Sequence, residues 1–168
     1  MPQDSKITGF LSDEELKDSP GVPSRARIKR GPVATIECLE DIPCNPCESS
    51  CNVGAIIVGE DITNLPHLDG EKCVACQTCV YICPGQAIFM VDESLPGGKA
   101  TVMMPYEYRP LPEKGDLVTA LGRGGQELGD AIVVAVRQTK RMDQTATVTI
   151  EVPEDWSMRA RAIRPGSS

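Results

Sequence analysis

The sequence predicts an α+β protein, and three features of the chain lead to this fold class. All eight cysteines lie between positions 38 and 83, in a stretch that repeats itself at an offset of 32 residues. Beyond residue 99 cysteine is absent, and short runs of alternating apolar residues are separated by turn residues. Before residue 33 the chain has no apolar core pattern. We therefore expect an extended N-terminal arm (1–32), a cysteine-rich domain (33–98), a small antiparallel β domain (99–152) and a C-terminal tail (153–168).

The cysteine-rich domain contains the stretch Cys73–Pro84, CVACQTCVYICP, with the spacing CxxCxxCxxxCP. Thiolates at this density bind iron–sulfur clusters or zinc. Structural zinc sites commonly pair two separate CxxC units. Three cysteines at a repeated spacing of three, closed by Cys-Pro, differ from that arrangement and predict an iron–sulfur site.

A second cysteine set lies upstream of this motif. Residues 44–58, CNPCESSCNVGAIIV, align without a gap with residues 76–90, CQTCVYICPGQAIFM, so that three cysteines and an Ala-Ile pair coincide. The duplication and the motif resemble the bacterial-type ferredoxins that hold two [4Fe-4S] clusters. The resemblance implies a ferredoxin-like two-cluster domain with a pseudo-twofold repeat, in which each half gives a strand, a cysteine loop, a short helix and a return strand.

The first half departs from the ferredoxin pattern at its first cysteine. The aligned position is Asp41, and Cys38 lies three residues earlier. Either Cys38 binds iron from a lengthened loop, or Asp41 is the ligand and Cys38 is a free thiol. We favour Cys38, because thiolate is the softer ligand and a free thiol beside a cluster is prone to oxidation.

In the ferredoxin pattern the fourth cysteine of each motif binds the cluster of the other half. Carried over by position, the resemblance assigns to one cluster Cys38 (or Asp41), Cys44, Cys47 and Cys83, and to the other Cys73, Cys76, Cys79 and Cys51. All eight cysteines are then used, and their confinement to one segment argues against a secreted disulfide framework. The sequence also lacks a signal-peptide pattern and any apolar run long enough to cross a membrane, so we expect no membrane contact. The acidity of the cysteine-rich domain and the use of reduced thiols indicate a cytoplasmic location.

The acidity of the chain is concentrated in the cysteine-rich domain. Residues 33–98 contain ten acidic residues and one basic residue, Lys72, for a formal charge of minus nine, against −7 for the whole chain. We expect such a domain to dock on a basic protein surface in a salt-dependent way and not to bind nucleic acid. Basic residues gather instead in Ser24–Arg30, SRARIKR, which is either a solvated charge run or an arm lying on an acidic surface of this protein or of a partner.

Outside the cysteine domain the sequence predicts local structure and no catalytic site. Ser12–Lys17 is predicted as a short helix in which Ser12 and Glu15 form a capping box. Trp156 and the arginines after it predict a helical turn in a tail that either docks on a partner or is an ordinary C-terminal cap. Strands are predicted at Ala100–Met104, Asp116–Leu121, Ala131–Gln138 and Thr145–Val152. No phosphate loop, nucleophile with a base, or pair of catalytic carboxylates is present.

These features predict a protein that relays single electrons. The run Pro20–Glu48, together with the cysteine-free β segment, is similar to the small ferredoxin-type subunits of FAD-dependent dehydrogenases of amino acids and amines, the hydroxyproline, sarcosine and opine class. The resemblance implies a hetero-oligomer in which a larger subunit carries FAD and oxidises a C–N bond, and this chain passes the electrons through two [4Fe-4S] clusters to an external acceptor. The alternatives are a freestanding ferredoxin-type carrier and a non-redox scaffold whose clusters or zinc ions only hold the fold.

Overall fold

A computed structural model describes residues 5–166, so that the first four residues of the predicted arm and the last two of the predicted tail lie outside the described residues. The protein is of the mixed class, with short helices and antiparallel sheets. The α-helices are α1 (Ser5–Thr8), α2 (Asp13–Asp18), α3 (Arg25–Ile28), α4 (Pro46–Ser49) and α5 (Thr78–Ile82). The strands are β1 (Val33–Ile36), β2 (Ile56–Ile57), β3 (His67–Leu68), β4 (Ile88–Asp92), β5 (Lys99–Tyr106), β6 (Leu117–Gly122), β7 (Glu127–Arg137), β8 (Ala146–Pro153) and β9 (Ala160–Pro165).

One seven-stranded antiparallel sheet runs through both the cysteine-rich segment and the cysteine-free segment. Its order is β1-β4-β5-β8-β7-β6-β9. Strand β4 pairs on one side with β1, where Ile36 lies opposite Ile88, and on the other side with β5, where Met90 lies opposite Met103. The two segments are therefore joined by a continuous ladder of backbone hydrogen bonds.

Two apolar cores lie on this sheet, and β4 contributes to both. Met90 and Val91 belong to the core that packs around the cysteines, together with Ile28 of α3 and Val80 of α5. Phe89 of the same strand belongs to the core formed by β5 to β9. Burial of apolar surface at about 25 cal/mol per Å² stabilises both cores, and the shared strand couples them.

The N-terminal arm packs against the cysteine domain. The predicted capping box is confirmed, because the Glu15 backbone N–H donates to the Ser12 hydroxyl and the Ser12 backbone N–H donates to the Glu15 carboxylate. After α2 the chain lies along β1, where the Ile36 N–H donates to the Gly21 carbonyl at 2.9 Å. A Cβ on Gly21 would lie 2.5 Å from the Ile36 carbonyl oxygen, so this close approach requires glycine.

The predicted helical turn near the C-terminus is wrong in its main part. A 3₁₀ turn spans Glu154–Trp156, but Ala160–Pro165 forms strand β9, which pairs with β6. Arg161 on this strand is buried, with 7% of its surface exposed, and is not an exposed docking residue. The sequence shows no alternation of apolar and polar residues for this strand, because one of its buried residues is Arg161. The charge of Arg161 is compensated only in the folded protein.

Candidate metal centres

The eight cysteines are free thiols that fall into two groups of four, each lining its own cleft. The first cleft has a volume of about 390 Å³, counting the space open to solvent, and Ile36 and Ile88 form part of its wall. The second has a volume of about 330 Å³ and is walled in part by Ile56 and Met90. The cysteines of the first cleft are Cys38, Cys44, Cys47 and Cys83. The cysteines of the second cleft are Cys51, Cys73, Cys76 and Cys79.

Each cleft takes three cysteines from one loop and the fourth from the other loop. Cys83 follows α5 in the second repeat and lines the first cleft, while Cys51 follows α4 in the first repeat and lines the second cleft. The structure thus brings together the same two sets that were assigned from the sequence. The exchange follows from the duplication, because the two short helices α4 and α5 pack against each other.

Asp41 is an exposed residue, and among residues 5–166 the side chains that line either cleft do not include it. Cys38, by contrast, lines the first cleft next to Glu40. Burial is the main cause that raises the pKa of the Cys38 thiol, and the neighbouring Cys83 and Cys44 raise it further.

The thiol environments differ between buried and exposed members of each group. Burial raises the pKa of Cys47 to about 11 and that of Cys79 to about 12, and the other three cysteines of the same group add to each shift. Cys76, in contrast, is exposed. Since metal ligands must be deprotonated, a metal bound by these buried thiols would displace the protons that they hold.

The loop of the second cleft is held in a constrained backbone conformation. Ala75 and Gln77 have positive φ angles of 55° and 71°, which is uncommon for residues other than glycine. These two residues lie on either side of Cys76, so the chain turns sharply around that thiol. In the first repeat, the Ala55 backbone N–H donates to the Cys51 sulfur at 3.2 Å, the kind of bond that stabilises a thiolate.

A buried ion-pair network lies directly beside the first cleft, and no pattern in the sequence indicated it. Glu37 precedes Cys38 and accepts hydrogen bonds from Arg123 at 2.7 and 2.6 Å and from Arg161 at 2.7 Å. The side chains of Glu37, Arg123 and Arg161 are 7%, 7% and 4% exposed. Burial would raise the pKa of Glu37, but the two guanidinium groups outweigh it and hold that pKa below its ordinary value. Burial lowers the pKa of Arg161 to about 10, against the opposing effect of Glu37.

The basic run Ser24–Arg30 lies on acidic groups of this protein, which decides between the two interpretations of that run. Arg25 pairs with buried Glu93 at 2.7 Å, and Lys29 pairs with Glu154 at 3.1 Å. Arg30 pairs with Glu71. Between them, Arg27 turns to the second cysteine loop, where it donates to backbone carbonyls instead of a carboxylate.

Within residues 5–166, no helix is both long and apolar enough to cross a membrane. In the same part of the chain, no group of three or more His, Cys, Asp or Glu side chains is placed to hold a single metal ion. The two cysteine groups line two separate clefts, with four thiols in each.

Comparisons with known proteins relate part of the chain to iron–sulfur proteins. Residues 66–89 match the family model described as a 4Fe-4S binding domain. The chain is 51% identical over 47 residues to a subunit of the ion-translocating oxidoreductase complex of Methanosarcina acetivorans, covering 28% of this chain and 17% of that protein. It is 42% identical over 48 residues to a subunit of the Na(+)-translocating ferredoxin:NAD(+) oxidoreductase complex of Acetobacterium woodii, covering 29% of this chain and 14% of that protein.

A third relative is the polyferredoxin-like subunit of an aliphatic sulfonate oxidoreductase from Pyrococcus furiosus, 32% identical over 73 residues, which are 44% of this chain and 36% of that protein. The matched stretches therefore span between about a seventh and about a third of these relatives. No solved structure matches the chain. The family match and the relatives show that this chain carries a ferredoxin-type 4Fe-4S binding domain, as found in iron–sulfur subunits of oxidoreductase complexes.

Proposed function

We propose that this chain is an electron-transfer subunit of an oxidoreductase complex that holds two [4Fe-4S] clusters. The observation that carries the proposal is the division of the eight free cysteines between two clefts, each with three thiols from one loop and one from the other. Four thiolates are the ligand set of a [4Fe-4S] cluster, so the donor chemistry of each cleft fits one. The three related proteins are named as subunits of oxidoreductase complexes, which supports a hetero-oligomer.

The first cluster would be held by the four cysteines of the first cleft, with Cys38 and not Asp41 as its first ligand. The second cluster would be held by the four cysteines of the second cleft. A [4Fe-4S] cluster supplies the capacity to take up and release one electron. Apolar side chains such as Ile36, Ile56 and Ile88 exclude water from the sulfurs, and the Ala55 backbone N–H stabilises negative charge on Cys51.

The second cleft lies where a partner can approach it. Cys76 is exposed, and the neighbouring Val74 leaves 64% of its surface exposed. The acidic charge of the cysteine domain, minus nine over residues 33–98, favours a partner surface that carries lysine and arginine. Electron exchange with such a partner should slow as ionic strength rises, because salt screens exposed charges.

For the electron donor, we propose the FAD of a larger subunit that oxidises an amino acid or an amine. This part rests on the similarity of the segment Pro20–Glu48 and the β segment to the small subunits of that dehydrogenase class. The three relatives named above belong to other complexes, and their names do not mention a flavin. The flavin donor is therefore the part of the proposal that isolation of the native complex must decide.

The test is anaerobic isolation from the native source, with iron, acid-labile sulfide, zinc and flavin measured in the same fraction. We expect about eight irons and eight sulfides per chain, with a reversible one-electron change seen by electron paramagnetic resonance. Co-eluting flavin and a larger polypeptide would support the dehydrogenase subunit, and eight irons without a partner would favour the freestanding carrier. Zinc in place of iron, or clusters that undergo no reversible reduction, would refute electron transfer and favour the scaffold.

A further inference from the structure

Arginine side chains from two segments outside the cysteine loops bind at the start of each cysteine set, one at the first cysteine of the second set and two at the residue before the first set. Arg27 in the N-terminal arm reaches the loop that begins the second set. Arg123 and Arg161 in the β segment reach Glu37, the residue before Cys38. If the two clefts hold clusters as proposed above, we propose that these arginines are positioning residues, each serving one cluster site.

Arg27 binds the second loop through several backbone carbonyls at once. Its Nε donates to the Gly70 carbonyl at 2.7 Å, and its Nη2 donates to the Cys73 carbonyl at 3.1 Å. Its Nη1 donates to the Gly31 carbonyl at 3.0 Å. The planar guanidinium carries its five donors on three nitrogens, each of which binds a different carbonyl here. A lysine has its three donors on one nitrogen and could not reach the same three carbonyls.

The stem of Arg27 is held as well as its head. A Cβ on Gly70 would lie 3.3 Å from the Arg27 Cγ, so the glycine lets the stem pass close to the loop. The next residue, Ile28, is fully buried in the core around the cysteines, and its carbonyl accepts from the Glu93 N–H at 3.2 Å. The helix that carries Arg27 is thus fixed on the cysteine domain, and Cys73 is fixed on that helix.

At the first site the arginines act through a carboxylate. The Glu37 backbone N–H donates to the Ala87 carbonyl at 2.8 Å, at the end of the β1–β4 pairing. Its side chain is bound by Arg123 from the turn between β6 and β7 and by Arg161 from β9. Arg161 also lies over the Phe89 ring, 4.8 Å from its centroid. The orientation of the chain entering Cys38 therefore depends on residues that lie 86 and 124 positions from Glu37.

The role of Arg27 in positioning can be separated from its charge and from a general effect on folding. We would prepare Arg27→Gln and Arg27→Lys in the full chain and load them with iron and sulfide. The matched control is Arg30→Gln, because Arg30 lies on the same run but pairs with the exposed carboxylate of Glu71. The measurement is the release of iron to a ferrous chelator over time, with the iron count of the wild-type chain determined first.

We expect wild-type protein to hold about eight irons. In both Arg27 variants, four of them should leave at least about tenfold faster than in the wild type, and four at the wild-type rate. Adding Cys44→Ser to Arg27→Gln should leave only the fast phase, because the slow irons belong to the first site. In Arg123→Gln the four irons of the first site should leave faster, and those of the second site should leave at the wild-type rate. Adding Cys76→Ser should then remove the slow phase, because the slow irons belong to the second site.

Three results would overturn the inference while leaving the proposed function intact. If Arg27→Lys releases iron at the wild-type rate, the faster release from Arg27→Gln is caused by the lost charge. If all eight irons leave together, the faster release is caused by a loss of global stability. Arg27→Gln matching Arg30→Gln would remove any role at the site. A wild-type chain that fails to hold about eight irons would instead refute the two-cluster function itself.

Discussion

Replacing Glu37 by glutamine should be among the most destabilising isosteric changes in this chain. The substitution removes the carboxylate that pairs with both Arg123 and Arg161, whose side chains are only 7% and 4% exposed. The exposed carboxylate of Asp13, 3.7 Å from Arg123, stays in place. Glutamine can still accept at one oxygen, but its amide nitrogen would face the Arg123 Nε, which now donates to Glu37 at 2.7 Å. Breaking a buried pair by removing one partner costs about 3–5 kcal/mol, because a buried charge is left uncompensated.

The matched control is Glu127→Gln, the same substitution in an exposed pair. Glu127 accepts from Arg164 at 2.6 Å, and the side chains of Glu127 and Arg164 are 61% and 55% exposed. Exposed ion pairs contribute about 0.2–1 kcal/mol. In a chain of this size, each kcal/mol shifts the melting temperature by about 2–4 °C. We therefore expect a fall of roughly 6–20 °C for Glu37→Gln and of no more than about 4 °C for the control.

The assay is anaerobic thermal unfolding of the iron-loaded proteins, followed by circular dichroism at one fixed scan rate. Iron content is measured on the same samples, so that loss of a cluster before unfolding is seen separately. Equal shifts for Glu37→Gln and Glu127→Gln would refute the reasoning. They would mean that the buried arginines are compensated without the carboxylate.

Three further predictions concern the first ligand, the arm and acid stability. Cys38→Ser should halve the iron content while Asp41→Ala leaves it unchanged, and the reverse iron counts would make Asp41 the ligand. Gly21→Ala should lower the stability by about 1–3 kcal/mol, because its Cβ would meet the Ile36 carbonyl oxygen at 2.5 Å; an unchanged melting temperature would contradict this contact. Hydrogen bonds, chiefly from the backbone N–H at the N-cap of its helix, lower the pKa of Glu15 from 4.5 to about 2, so its stabilisation is present above pH 4.5 and is lost as pH falls toward 2. Glu15→Gln should therefore lower the melting temperature at neutral pH but not below about pH 2, and an equal effect at both would exclude the carboxylate as the cause.

Local patterns in the sequence predicted the elements that local chemistry controls. The capping residues Ser12 and Glu15 predicted α2, and alternating apolar residues predicted β5 to β8 to within a few residues. The cysteine spacing predicted a 4Fe-4S domain, which the family match at residues 66–89 supports. These signals are readable because each is complete within about ten residues, where turn geometry and strand alternation act.

Local patterns did not predict the surroundings of the basic run Ser24–Arg30. Its composition left open whether the run was solvated or lay on acidic groups, and the fold decided for contact with Glu93, Glu154 and Glu71. The contact of Arg27 with the Cys73 carbonyl had no signal in the sequence. Every residue offers a carbonyl, so only the folded path of the chain selects which one an arginine meets.

The sequence by itself determined the chemistry of this protein: eight thiols in two repeated sets, within an acidic segment. Only the tertiary structure decided how the rest of the chain supports them. Strand β4 joins the cysteine segment to the β segment, and part of the predicted tail forms strand β9. Glu37 is buried between two arginines that lie 86 and 124 residues away in the sequence. The physical reason is that a buried charge is tolerated only where a partner meets it, and that meeting depends on strand pairing over distances that no local pattern encodes.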